Sequence, residues 1–320
     1  MKAATVGICL ATHEPDPELL VVQVNSIRAQ THADWVCVVS DDASGAEAVT
    51  AIEALLGDDP RFVLSHSPQR LGFYRNFEHA LTLLPEGPEL VVLADQDDRW
   101  HPDKLEALVA GLGAAQLVHS DARIVDRDGG LISPTYWTGR RPNEGDLASL
   151  LVANTVTGAA SLFRRELLEW ALPFPELPGR PYHDHWLAAV ALARGEIAYL
   201  GRPLYDYVQH GGAVLGHVGD ERRPEPRTGS RAQRWRRAYE EETKRVLGLA
   251  AALAARCEPL PDRERRRDLQ RILALERSPA AAAWLAGRAL RHARGVSETG
   301  GAERTLLAGL AWRWLSRARG

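Results

Sequence analysis

The sequence predicts an α/β fold, with a mostly parallel sheet in its first part and an α-helical appendage at its C-terminus. Three observations carry this. Between residues 5 and 94, short runs with almost no polar residues alternate with amphipathic stretches, as expected of strands covered by helices on both faces. From about Leu117 the pattern loosens into short strands and loops. From about Gly229 the chain is rich in Ala, Leu, Arg and Glu, which predicts three or four helices broken at Pro259-Leu260-Pro261, Pro279 and Gly300-Gly301.

The elements follow in order. Thr5–Ala11 reads as a strand, and Glu18–Gln30 as a helix with Leu19, Leu20, Val24 and Ile27 on one side. Trp35–Val39 is a second strand, followed by the polar turn Ser40-Asp41-Asp42-Ala43-Ser44, and Ala46–Leu56 a second helix. Phe62–Ser65 is a short third strand, Phe73–Leu84 a third helix and Leu90–Ala94 a wholly apolar fourth strand. Strands at Leu117–Ser120 and Ala159–Phe163, a helix at Asp184–Ala193 and a strand at Ile197–Leu200 come later. Gly211–Gly219 is Gly-rich and predicts a loop able to close over a ligand.

Composition narrows the class. With 320 residues, 45% hydrophobic and 25% charged, the chain resembles an ordinary globular protein. It has no run approaching the roughly 20 apolar residues of a membrane span. The N-terminal apolar run is too short for a signal peptide and ends in Thr12-His13-Glu14-Pro15, so it reads as a buried first strand. Cys9, Cys37 and Cys257 have no metal-ligand spacing, and Cys9 and Cys37, inside apolar strand-like runs, read as reduced core residues of a cytoplasmic protein. Charge is uneven: residues 1–221 hold 16 Lys and Arg against 31 Asp and Glu, residues 222–320 hold 23 against 11. A basic segment of this kind meets something anionic, whether membrane, nucleic acid or the acidic part of its own chain.

In a parallel sheet, ligands bind beyond the carboxyl ends of the strands. Thr12-His13-Glu14, Asp41-Asp42 and Asp95-Gln96-Asp97-Asp98 all fall there. Residues two apart in extended chain share a side, so Asp95 and Asp97 can face one ligand. Their hard oxygens suit Mn²⁺ or Mg²⁺ together with a diphosphate. The plainer alternative is a turn leading into a helix that opens at Pro102. Alone, the Asp-x-Asp pattern would leave that alternative ahead.

The ordered set of motifs decides between them. Along the chain come Cys9-Leu10-Ala11-Thr12, Ser26-Ile27-Arg28-Ala29-Gln30-Thr31, Val38-Val39-Ser40-Asp41-Asp42-Ala43-Ser44 and Arg70-Leu71-Gly72-Phe73-Tyr74-Arg75-Asn76-Phe77. Then follow Leu93-Ala94-Asp95-Gln96-Asp97-Asp98, Thr157-Gly158, His183-Asp184-His185-Trp186 and Gln209-His210-Gly211-Gly212. Over roughly residues 5–218 this series resembles a family 2 glycosyltransferase of the bacterial rhamnosyltransferase-like branch. The resemblance implies a GT-A fold with a Rossmann-like nucleotide-binding core. It further implies an inverting transfer of a sugar from a dTDP- or UDP-sugar to a hydroxyl of a glycan or lipid-linked acceptor. Residues 1–221 would form the transferase domain, with the nucleotide bound by about 1–115 and the acceptor by about 116–221, and residues 222–320 a basic helical region.

The resemblance also implies roles. Asp42 would accept a hydrogen bond from the base, and Thr12 and His13 would line its pocket. His13-Glu14 stands where family members commonly have Tyr-Asn. Arg70, Gly72 and Asn76 would contact the nucleotide, and Gly158 would lie beneath the donor sugar. Asp95 would bind ribose and metal, Asp97 the metal, and His210 would be the third ligand. Asp184 would be the general base, in a His-Asp pair where the family has Glu-Asp.

Two other functions compete. A sugar-phosphate nucleotidylyltransferase would carry a Gly-rich basic loop where this chain has Thr12-His13-Glu14-Pro15. A non-catalytic sugar-nucleotide-binding protein would not need Asp95, Asp97, Asp184 and His210. The C-terminal region interleaves Arg231, Arg234, Arg236 and Arg237 with Trp235, and ends in Trp312-Arg313-Trp314. It reads equally as an interfacial helix bringing the enzyme to the inner face of an anionic membrane, or as helices packed on the core or a second copy. No nucleic-acid-binding motif accompanies the charge.

Overall fold

The computed structural model describes residues 4–138, 140–209, 229–293 and 296–317. The chain divides into two compact units, Met1–Tyr136 with Thr157–Phe174 and Ile197–His217, and Trp137–Val156 with Pro175–Glu196 and Val218–Gly320.

The first unit carries the sheet. Its strands are β1 (Val6–Thr12), β2 (Trp35–Asp42), β3 (Phe62–Ser67), β4 (Leu90–Ala94), β5 (Arg99–Trp100), β6 (Leu117–Asp126), β7 (Leu131–Ser133), β8 (Ser161–Arg164) and β9 (Ile197–Gln209). Its helices are α1 (Pro17–Arg28), α2 (Ala46–Leu56), α3 (Phe73–Thr82) and α4 (Lys104–Leu112), and the single turn α6 (Leu168–Ala171). Among the described residues these nine strands form one sheet, ordered β3-β2-β1-β4-β8-β6-β9-β5, with β7 on β6. β3, β2, β1 and β4 are parallel neighbours. The α/β prediction therefore holds, with antiparallel pairs arising where strands after Leu117 join the sheet.

Burial explains the parallel half. Every residue of β4 is buried, as is all of β1 except Ala11, so backbone polar groups find partners only in neighbouring strands. Val6, Ile8 and Leu10 join Val39, Val92, Leu105 and Tyr205 in one core. Cys9 and Cys37 are wholly buried and burial pushes both thiols up, so they behave as small apolar groups. β6 and β9 outrun the predicted strands because Asp121–Asp126 and Pro203–Gln209 pair with each other past an irregularity at Ser120/Asp121. Alternating polar residues hid that extension from a reading based on apolar runs.

The second unit is helical: α5 (Leu147–Val152), α7 (His183–Arg194), α8 (Arg231–Arg237), a π-helical turn at Ala238–Thr243, α9 (Lys244–Cys257), α10 (Arg263–Leu273), α11 (Pro279–His292) and α12 (Ala302–Arg317). α5 packs on α7, α9 and α10. Several arginines of the basic region are spent within the unit. Arg265 donates to the carbonyls of Leu192 and Gly195 at the end of α7, Arg245 to Val152, and Arg288 to Asp146 and Ser149. Guanidiniums on the last carbonyls of helices favour the dipole and satisfy orphan acceptors. The aromatic groups of α12 are engaged there too. Trp312 lies 5.3 Å from the Tyr239 ring, Trp314 Nε1 donates to the Glu276 carbonyl, and Leu306 and Leu310 are buried. This geometry favours the packed over the interfacial reading of α12. No helix among the described residues is long and apolar enough to cross a membrane.

His119 on β6 is fully buried beside Tyr199, and neither ring nitrogen has a hydrogen-bond partner among the described residues. Burial pushes its imidazole down to about 3. Below about 6.5 the unfolded chain therefore binds a proton that the folded chain refuses, and stability falls with pH through that window. Replacing His119 by Leu should flatten the loss between pH 6.5 and 4 by up to ~1.4 kcal/mol per pH unit. Urea titrations across that range measure it, and equal slopes in both proteins would refute the assignment.

Candidate functional site

The register of the parallel strands brings their carboxyl ends side by side: Thr12 pairs with Asp41, Leu10 with Ala94. The loops that leave these ends are laced together. The His13 amide donates to Gln96 Oε1 (2.8 Å), joining the tip of β1 to the acidic loop after β4. His13 Nδ1–H donates to the Asp42 carbonyl (2.6 Å), which leaves Nε2 as the acceptor that meets Arg70. Thr12, His13, Asp42, Arg70 and the Asp95–Asp97 loop are thus one connected constellation.

Asp42 is 1% exposed, and its carboxylate accepts the backbone N–H groups of Leu71 and Gly72 (2.8 Å for Gly72) at the start of α3. A carboxylate at a helix N-terminus is favoured by the dipole and caps orphan donors. Gly72 has φ +80°, a backbone state that side chains disfavour, while the space a Cβ would enter is open. Conformation, not close approach, is what demands glycine here.

Asn76 is also 2% exposed. Its amide donates to the carbonyls of Thr12 (3.2 Å) and Ser40 (3.0 Å) and accepts from Ser40 Oγ (2.7 Å). The expectation that it contacts the nucleotide is not what this geometry favours: its polar atoms staple α3 to β1 and β2.

Three residues assigned no individual role from sequence alone, Asp41, Ser44 and Glu14, complete the scaffold. Asp41 accepts from Thr12 Oγ1 (2.9 Å), Ser44 Oγ (2.6 Å), the Ser44 amide and His66 Nδ1 (2.8 Å). Burial alone would raise its carboxyl, but these hydrogen bonds together hold it below the ordinary carboxylate value. Glu14 accepts the Gly45 amide at the start of α2 (2.7 Å), and its own amide donates to Ser44 Oγ. Glu14 and Ala43 are the two non-glycine residues with positive φ among the described residues. Such backbones cost about 1–3 kcal/mol each and persist where surroundings over-determine them, typically in ligand-binding loops. Only the tertiary contacts reveal these roles; in the sequence Glu14 marked the polar cluster after the first strand and Ser44 closed the motif after the second.

Asp95 follows β4 directly and is half-buried, as is Asp97. Asp98 is 1% exposed, and burial, then the negative charges of Asp95 and Asp97, push its carboxyl well above the usual carboxylate range. Hard carboxylate oxygens crowded at one strand end suit a divalent cation. Among the described residues no group of three or more His, Cys, Asp or Glu gathers into a metal cluster. His210 and the Gly211–Gly219 loop lie outside the described residues. Gly158 is buried in the 3₁₀ turn Gly158–Ala160, in the same unit as the acidic loop.

Asp184 belongs to the second unit. It sits half-buried in the first turn of α7 and accepts the His185 amide (2.6 Å). His185 Nε2–H donates to the Leu150 carbonyl (2.7 Å) and burial, then Arg245, pushes the imidazole down to about 3. Burial likewise pushes His183 down to about 3. Both rings flanking Asp184 are neutral at physiological pH.

Gly72→Ala tests the local geometry. With no atom to collide with, its cost is backbone strain of about 1–3 kcal/mol, read by urea unfolding. Wild-type stability would contradict the positive-φ cap.

Comparison with known proteins completes the picture. Residues 8–170 match the model of Glycosyl transferase family 2. A protein of Nostoc sp. described as an uncharacterized glycosyltransferase is 28% identical over 203 residues, 59% of this chain and 60% of that protein. An uncharacterized protein of Sinorhizobium fredii is 27% identical over 124 residues, 38% of this chain and 13% of that protein. The chain therefore spans less than two thirds of the length of either relative. Among solved structures, residues 1–349 of S. aureus TarS superpose with a TM-score of 0.56 at 13% identity, covering 99% of this chain and 92% of that one. At such identity the likeness speaks for the fold alone, and it agrees with the GT-A core and C-terminal helices expected from the sequence. On the matched residues and this fold, the chain belongs to Glycosyl transferase family 2.

Proposed function

We propose that this chain is a metal-assisted, inverting glycosyltransferase that moves a sugar from a UDP- or dTDP-sugar to a hydroxyl of a glycan or lipid-linked acceptor. The observation that carries the reading is the constellation at the ends of β1, β2 and β4. There His13, Asp42, Arg70 and the Asp95–Asp97 loop are tied into one edge. Family membership supports the reaction class, and a solved structure of TarS contains UDP-GlcNAc.

The chemistry follows from the residues. Residues 1–115 would bind the nucleotide, with Asp42 accepting from the base, Thr12 and His13 lining its pocket and Arg70 contacting the nucleotide. Asp95 and Asp97 would hold Mn²⁺ or Mg²⁺, with His210 assigned as third ligand by the family resemblance. The cation, when bound, offsets charge on the departing diphosphate. Residues 116–221 would bind the acceptor, and Asp184 would take the proton from its hydroxyl as that oxygen attacks the anomeric carbon. Burial keeps the neighbours of Asp184 in sequence, His183 and His185, neutral. The exposed arginines of α8 are the surface we assign to contact with an anionic membrane or a second copy.

Calorimetry with UDP, dTDP and GDP should show at least one nucleotide binding about tenfold or more tightly with Mn²⁺. Asp97→Asn should remove that gain. Metal-independent binding of all three would refute metal assistance. Asp184→Asn should lower turnover by about 10²–10⁴-fold while nucleotide affinity survives. Undiminished turnover would remove Asp184 as the base.

A further inference from the structure

Lys104 opens α4, six residues after the acidic loop, and none of its surface is exposed. Its ammonium donates to the carbonyl of Ala159 (2.5 Å), inside the 3₁₀ turn that begins at Gly158. It also lies 3.9 Å from the centre of the Trp100 ring and 4.6 Å from that of Tyr205, so two aromatic faces wall it in. The neighbouring carboxyl is that of Asp98, equally buried, whose Oδ2 has no hydrogen-bond partner among the described residues.

Burying a lysine is expensive, and apolar packing against Trp100 and Tyr205 would not call for one; Asp98, buried beside it, offsets part of that cost. What the amine does besides is specific: it bonds a backbone oxygen of one segment from the base of the segment that carries Asp95 and Asp97. We propose that Lys104 is a positioning residue that sets the distance between the Asp95–Asp97 carboxylates and the Gly158–Ala160 turn. This rests on the transferase reading above, in which the first group holds the diphosphate through a cation and the second seats the donor sugar. Transfer needs both ends of the donor held at a fixed separation, because small misplacements of reacting atoms are costly in rate. Nucleoside diphosphate binding needs only the first group.

The decisive variant is Lys104→Met, which keeps an unbranched side chain one atom shorter and removes the amine. Calorimetry with UDP, dTDP and GDP in the presence of Mn²⁺ is combined with assays of metal-dependent hydrolysis of the corresponding UDP-, dTDP- and GDP-sugars, and with thermal melting. The expected result is a split: a folded protein with a lower Tm, because Asp98 and the Ala159 carbonyl lose their buried partner, nucleoside diphosphate affinity within about threefold, and kcat lowered by about 30-fold or more. Lys104→Gln, which retains an N–H donor, should recover part of kcat. Turnover of Lys104→Met within about threefold of wild type overturns the inference. So does failure of both variants to fold, since that gives the lysine to folding instead. A wild-type chain with neither metal-dependent nucleotide binding nor hydrolysis refutes the transferase reading itself, and the role of Lys104 with it.

Discussion

The edge formed by the carboxyl ends of β1, β2 and β4 depends on buried carboxylates held by hydrogen bonds rather than by cations. Asp41 and Asp42 are almost wholly inaccessible, yet between them they accept from Thr12, Ser44, His66 and the amides of Leu71 and Gly72. An unpaired buried carboxylate would be prohibitively costly, so each loop that supplies a donor is fixed by the need to supply it. The entry to α3, through the amides of Leu71 and Gly72, and the turn at Ser44 follow from this one requirement.

The same requirement explains the local strain. Glu14 and Ala43 hold positive φ because the loops that contain them must turn back onto the carboxylates, and the strain is met by bonds across the loops. Rigid loops at strand ends suit a site that must hold a phosphorylated ligand without reorganising at each turnover. Asn76 belongs to this scaffold: its amide is consumed in keeping α3 against β1 and β2.

The acidic loop is organised differently. Asp95 and Asp97 are half-buried, while Asp98 points inward to the block formed by Trp100, Lys104 and Tyr205. Charge is concentrated here, and burial, then mutual repulsion, raises the Asp98 carboxyl, whereas hydrogen bonds hold that of Asp41 down.

The sequence by itself determined the parallel half of the sheet. β4 and helix α2 lie where the apolar runs and helical spacing put them, because a strand buried on both faces leaves no choice of residue type. It also located the three polar clusters at the strand ends and, through the order of its motifs, the family. What it did not reveal were pairings between residues distant in the chain. β9 is long because Asp206–Gln209 find partners in β6, and Arg265 is a helix-end ligand instead of a solvated charge. The Asn76 amide bonds the carbonyls of Thr12 and Ser40, and Lys104 is buried. A polar residue reads as exposed until its partner is known, and the partner is chosen by the tertiary fold.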